Sequence, residues 1–224
     1  MISAIIVAGG KGERLGANLP KQFLNLSGKP ILRWAVEKIS VCPKITEIAV
    51  VVPEQYINLA RQIFPEPEIK LVSGGNERQD SVFAGLFACS QSAQWILIHD
   101  GVRPFPSKNL IERVIESAEK YGAAVPGLAM KETIKEVEPK SSKALSTVDR
   151  ARLYSIQTPQ VFSRDMIIPA YQRAFNLGFY ATDDAGIVEW NGGEVVVVSG
   201  EETNLKITTS LDFKLAELIA EEIK

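Results

Sequence analysis

Three apolar runs limit what this chain can fold into: Ile2 to Ala8, Ile45 to Val52 (ITEIAVVV) and Trp95 to Ile98 (WILI). Such near-continuous, largely β-branched runs mark strands covered on both faces, whereas a strand with one face in water alternates apolar with polar residues. Helical spacing lies between them. Pro30 to Val41 carries Ile31, Leu32, Trp34, Ala35, Val36 and Ile39, and Glu77 to Ser90 carries Val82, Ala84, Leu86, Phe87 and Cys89. Tyr56 to Phe64 and Leu110 to Tyr121 read as further helices, Ile69 to Val72 and Ala123 to Pro126 as further strands. Alternation of this kind predicts a mostly parallel sheet with helices on both faces.

The fold class is therefore α/β, Rossmann-like, and 224 residues suffice for one domain, 1-224. The stretch 131-150 breaks the pattern. Thr133 to Val137 and Ala144 to Val148 alternate, and Glu138-Pro139-Lys140-Ser141-Ser142 forms a polar turn between them. An isolated hairpin is marginal in water. The segment is expected to be an arm that lies on a second subunit, since symmetric dimers are the commonest oligomers. Beyond it the chain predicts a re-entrant segment from Tyr154 to Phe162, a helix from Arg164 to Leu177, another over Ala185 to Trp190, a strand from Glu194 to Val198 and a closing helix, Leu211 to Ile223.

The net charge of -2 gives no general attraction for nucleic acid or membrane, so any anion binding must be local. Cys42 and Cys89 form neither a disulfide framework nor a zinc pattern. The N-terminus passes straight into a strand with no signal-peptide pattern, and no apolar run approaches the length that spans a bilayer. A cytoplasmic protein is expected.

The first strand breaks into IIVAGGKGERLGANLPK, with Gly9, Gly10, Gly12 and Gly16 followed by or interleaved with Lys11, Arg14 and Lys21. It is not a G-x-x-x-x-G-K-[ST] phosphate loop, because Ala17 and Asn18 follow Gly16. It is not the dinucleotide fingerprint either, since Leu15 occupies the third glycine position. A plain strand-to-helix turn is the bland reading. Amide donors in a glycine loop with nearby cations favour polyphosphate instead.

Asp100 ends the run WILI-His99 at the carboxyl edge of the sheet, where a carboxylate can meet Mg²⁺ or a ribose. Asp183 is a weaker metal candidate, because a helix N-cap already explains it. His99 is the sole histidine and reads as a core residue rather than a general base. No Ser or Cys nucleophile signature is present. That directs attention to a reaction whose attacking group is already an anion, for which cations supply the catalysis. Arg14, Lys21, Arg103 and Lys206, in loops flanked by Gly, Pro or Asn, stand out from Arg78 and Arg150 as such cations.

The motifs AGGKGERLG with PKQF, GGNERQDSV, HDGVRP, TVDR, TPQVF, TDD and NLKIT, in this order from Ala4 to about Leu218, resemble the 2-C-methyl-D-erythritol 4-phosphate cytidylyltransferase family. The resemblance implies that CTP and the polyol phosphate give 4-diphosphocytidyl-2-C-methyl-D-erythritol and pyrophosphate, with Mg²⁺, in isoprenoid precursor synthesis. It implies Ala8, Gly9, Gly10, Arg14 and Lys21 at the triphosphate, with Arg14 and Lys21 stabilising the five-coordinate phosphorus. Gly75, Asn76 and Ser81 would read the cytosine, and Asp100 would meet the ribose or the metal. Arg103, Thr158, Thr182 and Lys206 would surround the acceptor and its target phosphorus. The hairpin would be a homodimer arm that sends Arg150 into the neighbouring site. Asn76 stands where Asp is common, and Gly101-Val102 replaces a frequent Ala-Ala pair. HD-x-VRPF is also similar to ribitol 5-phosphate cytidylyltransferases, which remain the alternative, with a non-catalytic nucleotide-sensing subunit as a third.

Overall fold

The computed structural model describes residues 1–10 and 19–223. Arg14 therefore lies outside the described residues. In chain order the first strand is β1 (Ile2–Val7), followed by a small hairpin, β2 (Asn25–Leu26) and β3 (Lys29–Pro30), and by α1 (Ile31–Ser40). Then come β4 (Ile45–Val52), α2 (Ile57–Ile63), β5 (Ile69–Ser73), α3 (Arg78–Ala88), β6 (Trp95–Asp100), α4 (Lys108–Tyr121) and β7 (Ala123–Ala129). The second half holds β8 (Ile134–Val137), β9 (Ala144–Val148), β10 (Tyr154–Ile156), β11 (Gln160–Ser163), α5 (Arg164–Leu177), α6 (Asp184–Trp190), β12 (Val196–Ser199) and α7 (Ser210–Glu222).

The main sheet runs β10-β7-β11-β6-β1-β4-β5, with β12 on the other side of β7. β1, β4, β5 and β6 are parallel, while β10 and β11 run against their neighbours. The sequence reading of a mostly parallel sheet holds. The re-entrant segment holds two strands, β10 and β11, both antiparallel to β7, with Gln157 to Pro159 between them and Gln157 N–H still donating to Pro126 O of β7 at 2.7 Å. β6 also continues past Ile98 through His99 and Asp100, in register with Ile6 and Val7 of β1. Two polar residues so deep in a strand are invisible to apolar periodicity. Among the described residues β8 and β9 pair only with each other, antiparallel, over largely exposed residues.

Pleating sends successive β1 side chains to opposite faces. Ala4, Ile6 and Ala8 enter a core with Leu32 and Val36 of α1 and Leu110, Val114 and Ile115 of α4. Ile5 and Val7 enter a second core with Val82 and Leu86 of α3, Tyr171 of α5 and Ile187 of α6. Each fully buried aliphatic side chain contributes about 1.5–3 kcal/mol relative to exposure, which fixes β1 as the central strand. Its carboxyl end cannot move independently of either layer. A third cluster, Leu26, Ile31, Trp34, Phe105, Ile207, Ala216 and Ala220, seats α7 against β2 and the loop after β6.

α3 lies close to the sheet at Gly85, where a Cβ would come within 2.6 Å of Ile5 Cγ2 and 3.1 Å of Val51 Cγ2. Both neighbours are β-branched and stiff. Alanine raises helix propensity by about 1 kcal/mol, but the overpacking outweighs it. Gly85→Ala should lower the stability read from urea unfolding by about 1–3 kcal/mol; an unchanged or higher midpoint would show that α3 has slack to move.

Candidate active site

The chain travels from β1 outward through β4 and β5, then returns across β1 to β6. This reversal leaves a crevice beyond the carboxyl ends of β1 and β6, the place where open α/β sheets bind ligands. A cleft of about 470 Å³ occupies it, lined by Ala8, Gly9, Gly10, Lys21, Gln22, Asn76, Arg78, Ser81, Asp100, Val102, Lys206 and Thr208 among others. Its floor is tightly joined. Gly101 N–H donates to Val7 O at 2.8 Å, and a Cβ on Gly101 would meet Leu32 Cδ1 at 2.6 Å. The Gly-Val pair thus lets α1 close under the loop. Ser81 Oγ imposes a similar limit on the wall: a Cβ would approach it to 3.1 Å from Gly9 and 2.7 Å from Gly74.

Asp100 is the electrostatic centre. Arg78 Nε donates to its Oδ1 at 3.0 Å, Lys206 Nζ lies 2.8 Å from Oδ2, and Arg103 Nε stands 3.9 Å from Oδ2. Burial alone would raise the carboxyl pKa, but Arg78, Lys206 and Arg103 together hold it well below the usual carboxylate range. Arg78 also forks onto Asp184, with Nη1 and Nη2 donating to its two oxygens at 3.0 and 2.8 Å. Asp184 is fully buried and accepts the hydroxyl of Tyr171. Burial opposes the charge on Arg78, yet Asp184 and Asp100 keep its pKa well above the ordinary value. A capping box, in which Glu77 N–H donates to Asp80 at 3.1 Å, starts α3 at the position that aims Arg78 inward.

His99 stands behind the carboxylate, wholly buried. Its Nε2 is 2.9 Å from Arg103 O, a carbonyl that only accepts, so Nε2 carries the proton. Nδ1 then accepts from Thr158 Oγ at 3.0 Å, and the same hydroxyl accepts Asp100 N–H at 3.0 Å. Burial pushes the His99 pKa down to about 4. The imidazole is neutral, has both nitrogens engaged and does not line the cleft: it is the core residue the sequence suggested. Asn204, also fully buried, donates to Thr158 O at 2.8 Å and accepts from Arg103 Nη1 through its own carbonyl at 2.8 Å. Ile207 N–H donates to Val102 O at 2.9 Å. The NLKIT segment is thereby stapled beside the loop after β6, and Lys206 falls over Asp100.

Of the residues singled out from sequence, Ala8, Gly9, Gly10, Lys21, Asn76, Ser81, Asp100 and Lys206 line one cleft. Arg103 and Thr158 are buried directly behind Asp100, within the layer that supports it. Gly75 flanks the wall, where its backbone lies so close to Asp80 that a Cβ would come within 2.3 Å of Asp80 Cβ. Thr182 is exposed in the turn before α6, next to Asp183, which caps that helix by accepting Gly186 N–H at 2.9 Å. Arg150 is exposed at the base of the β8–β9 hairpin, where it donates to Lys131 O. Sequence reasoning assigned no role to Gln22, Asp184, Tyr171 or Asn204, and it ranked Arg78 below the other cations. Gln22 and Arg78 stand inside the quoted PKQF and GGNERQDSV motifs, so a signal for them was present.

The buried His99 generates a pH test. Unfolded, it takes up a proton near pH 6.5; folded, only near pH 4. Between these values the unfolded chain binds more protons, so stability rises with pH across that window and is lost as pH falls through it. The full difference amounts to about 3 kcal/mol. In His99→Gln, urea midpoints measured from pH 4 to 7 should lose this part of their slope. The same slope in both proteins would mean that His99 titrates normally when folded.

Residues 2–222 match the family model described as IspD: 2-C-methyl-D-erythritol 4-phosphate cytidylyltransferase. A protein of that name from Clostridium botulinum (strain Eklund 17B / Type B) is 41% identical over 98% of this chain and 99% of its own length. One from Clostridium acetobutylicum is 43% identical, covering 98% of this chain and 97% of the relative. The crystal structure of 4-diphosphocytidyl-2C-methyl-D-erythritol synthase from Anaerococcus prevotii DSM 20548 superposes with a TM-score of 0.88 at 31% identity, over 98% of this chain and 96% of that one. With these likenesses spanning the sheet and every wall of the cleft, the chain belongs to the 2-C-methyl-D-erythritol 4-phosphate cytidylyltransferase family.

Proposed function

We propose that the cleft between β1 and β6 transfers a cytidylyl group from CTP to 2-C-methyl-D-erythritol 4-phosphate, releasing pyrophosphate, as a step of isoprenoid precursor synthesis. The carrying observation is one crevice that holds glycine amides, Lys21 and the Lys206–Asp100–Arg78 array together. The acceptor phosphate is already an anion, so the reaction needs no buried base, and a neutral His99 agrees with this. An acceptor oxygen attacks the α-phosphorus, a new P–O bond forms, and the bond to the bridging oxygen breaks as pyrophosphate leaves. Lys21 and, in the segment outside the described residues, Arg14 offset the charge that builds on the five-coordinate phosphorus. Ala8, Gly9 and Gly10 receive the triphosphate, while Gly75, Asn76 and Ser81 bind the cytosine and Asp100 approaches the ribose. Lys206, with Arg103 and Thr158 fixing the ground beneath it, and with Thr182, orients the acceptor. Methylerythritol phosphate is preferred to ribitol 5-phosphate because the matching family and the relatives above bear that substrate in their names.

The family resemblance implies Mg²⁺, with Asp100 as its candidate ligand, either directly or only through the phosphates. Both carboxylate oxygens already face cations, Arg78 on one and Lys206 on the other. A dication there would have to expel one of them, so Asp100 does not fit a direct ligand. Any Mg²⁺ is better accommodated by phosphate oxygens of CTP. The β8–β9 hairpin exposes Leu145 and Val137 and, among the described residues, pairs with no other strand, which supports an arm, 131-150, that packs on a second copy and carries Arg150 to it. The single-domain reading of 1-224 and the cytoplasmic location complete the proposal; Cys42 and Cys89, buried and unpaired, suit a reducing compartment.

Pyrophosphate release tests the assignment. The protein with CTP and Mg²⁺ should turn over methylerythritol phosphate in preference to ribitol 5-phosphate; the opposite preference, or silence with both, would overturn it. Lys21→Ala should lower kcat by about 10² or more with a smaller change in CTP affinity, because its charge acts chiefly in the transition state. Equal losses in both would remove Lys21 from that role.

A further inference from the structure

Gln22 is a buried polar side chain in the wall of the cleft that nothing above gives a task. It follows Lys21 in the short 3-10 turn Lys21–Phe23. Its side-chain amide donates from Nε2 to Ala8 O at 2.6 Å and to Gly10 O at 3.1 Å. Both partners are carbonyls, which only accept, so the NH₂ end must face them and Oε1 points away. Oε1 is buried with no hydrogen-bond partner among the described residues. An orphan acceptor of this kind costs about 1–3 kcal/mol, which methionine, of similar shape, would avoid.

The consequence is for the other side of the peptide. Ala8 N–H still belongs to the sheet, donating to Val51 O at 2.8 Å. Its carbonyl, instead of continuing the ladder, is turned onto Gln22. In a trans peptide the N–H opposes the C=O across the same plane. Holding Ala8 O at Gln22 therefore turns Gly9 N–H away from Gln22, and Gly9 lines the cleft. Among the described residues, neither Gly9 N–H nor Gly10 N–H donates to a protein group. Glycine has no side chain to shield those donors; at Gly9 a Cβ would crowd Ser81 Oγ at 3.1 Å, while at Gly10 the space is open.

We propose that Gln22 is a positioning residue that fixes the orientation of the glycine-turn amides, so that they present donors to the polyphosphate of CTP while Lys21, one residue away on the same turn, presents its charge. This rests on the reading of the cleft as the CTP site. Without the two Gln22 bonds the Ala8-Gly9 peptide can rotate, and a flipped peptide offers the anion a carbonyl oxygen in place of an N–H. A loss of this kind falls on the phosphates beyond the first and spares the nucleoside.

The test compares CTP with CMP by calorimetric titration in wild type, Gln22→Met and Gln22→Glu, each checked by circular dichroism. Wild type should bind CTP more tightly than CMP. The variants should weaken CTP about tenfold or more and CMP less than twofold. Equal weakening of both ligands would indicate a merely structural residue, and an unchanged CTP preference would remove Gln22 from the role. A wild type that binds both alike would sink the CTP reading itself, and this inference with it. If neither variant folds, ¹⁵N-glycine spectra of wild type decide: the Gly9 amide should shift on titration with pyrophosphate and far less with CMP, and a Gly9 amide indifferent to pyrophosphate would overturn the proposal.

Discussion

One carboxylate, Asp100, held ionised by cations from separate parts of the chain, is the constraint on which the cleft depends. Arg78 comes from the first turn of α3, Lys206 from the segment before α7, and Arg103 from the loop after β6 itself. Only Arg103 lies near Asp100 in sequence, and the fold is what brings Arg78 and Lys206 to it. Removing Asp100 from water is unfavourable by itself, and its neighbours' charges offset this only while their geometry holds. The array is therefore better regarded as a device for position than as a source of stability. A cation released from it would be both mispaired and misplaced for substrate.

Arg78 extends the same constraint through the molecule. Its fork onto Asp184 reaches the buried start of α6, and Tyr171 adds the middle of α5. The helical layer on one face of the sheet is thus linked to the carboxyl edge of β6 by a single guanidinium. Guanidinium suits this task because it is planar and offers several donors in a fixed fork, which an ammonium does not. On the opposite side, the hydrogen bonds from Asp100 N–H through Thr158 to His99 fix the strand end from which the carboxylate projects.

Much of this was legible in the sequence, for identifiable reasons. ITEIAVVV reads as a doubly covered strand, and β4 spans those residues, buried on both faces from Ile48 to Val52. The TDD run had to hold a helix cap, and Asp183 is that cap. The clustering of Gly9, Lys21, Asn76, Asp100 and Lys206 follows once strand ends are known to gather at one edge. What escaped depends on partners distant in sequence. Nothing near Asp184 announces that Arg78 lies against it, 106 residues apart. Nor does the sequence reveal that Gln22 faces two carbonyls, since Gln is ordinarily a surface residue. Charges with short, flexible-looking neighbours attracted notice, whereas buried polar residues inside helices did not. Thr158 and Arg103 read from sequence as acceptor residues, and composition around them could not disclose that both are buried beside Asp100, with Thr158 Oγ accepting its N–H.

A double-mutant cycle on Arg78 and Asp184, read as kcat/KM for cytidylyl transfer, tests whether this array acts as a unit. If it does, Arg78→Gln and Asp184→Asn together will be scarcely worse than the more damaging single change, a coupling of about 2 kcal/mol, within the range found for contacting residues. If the two losses simply multiply, Asp184 does not act through Arg78, and the cleft is not organised by the charge network described above.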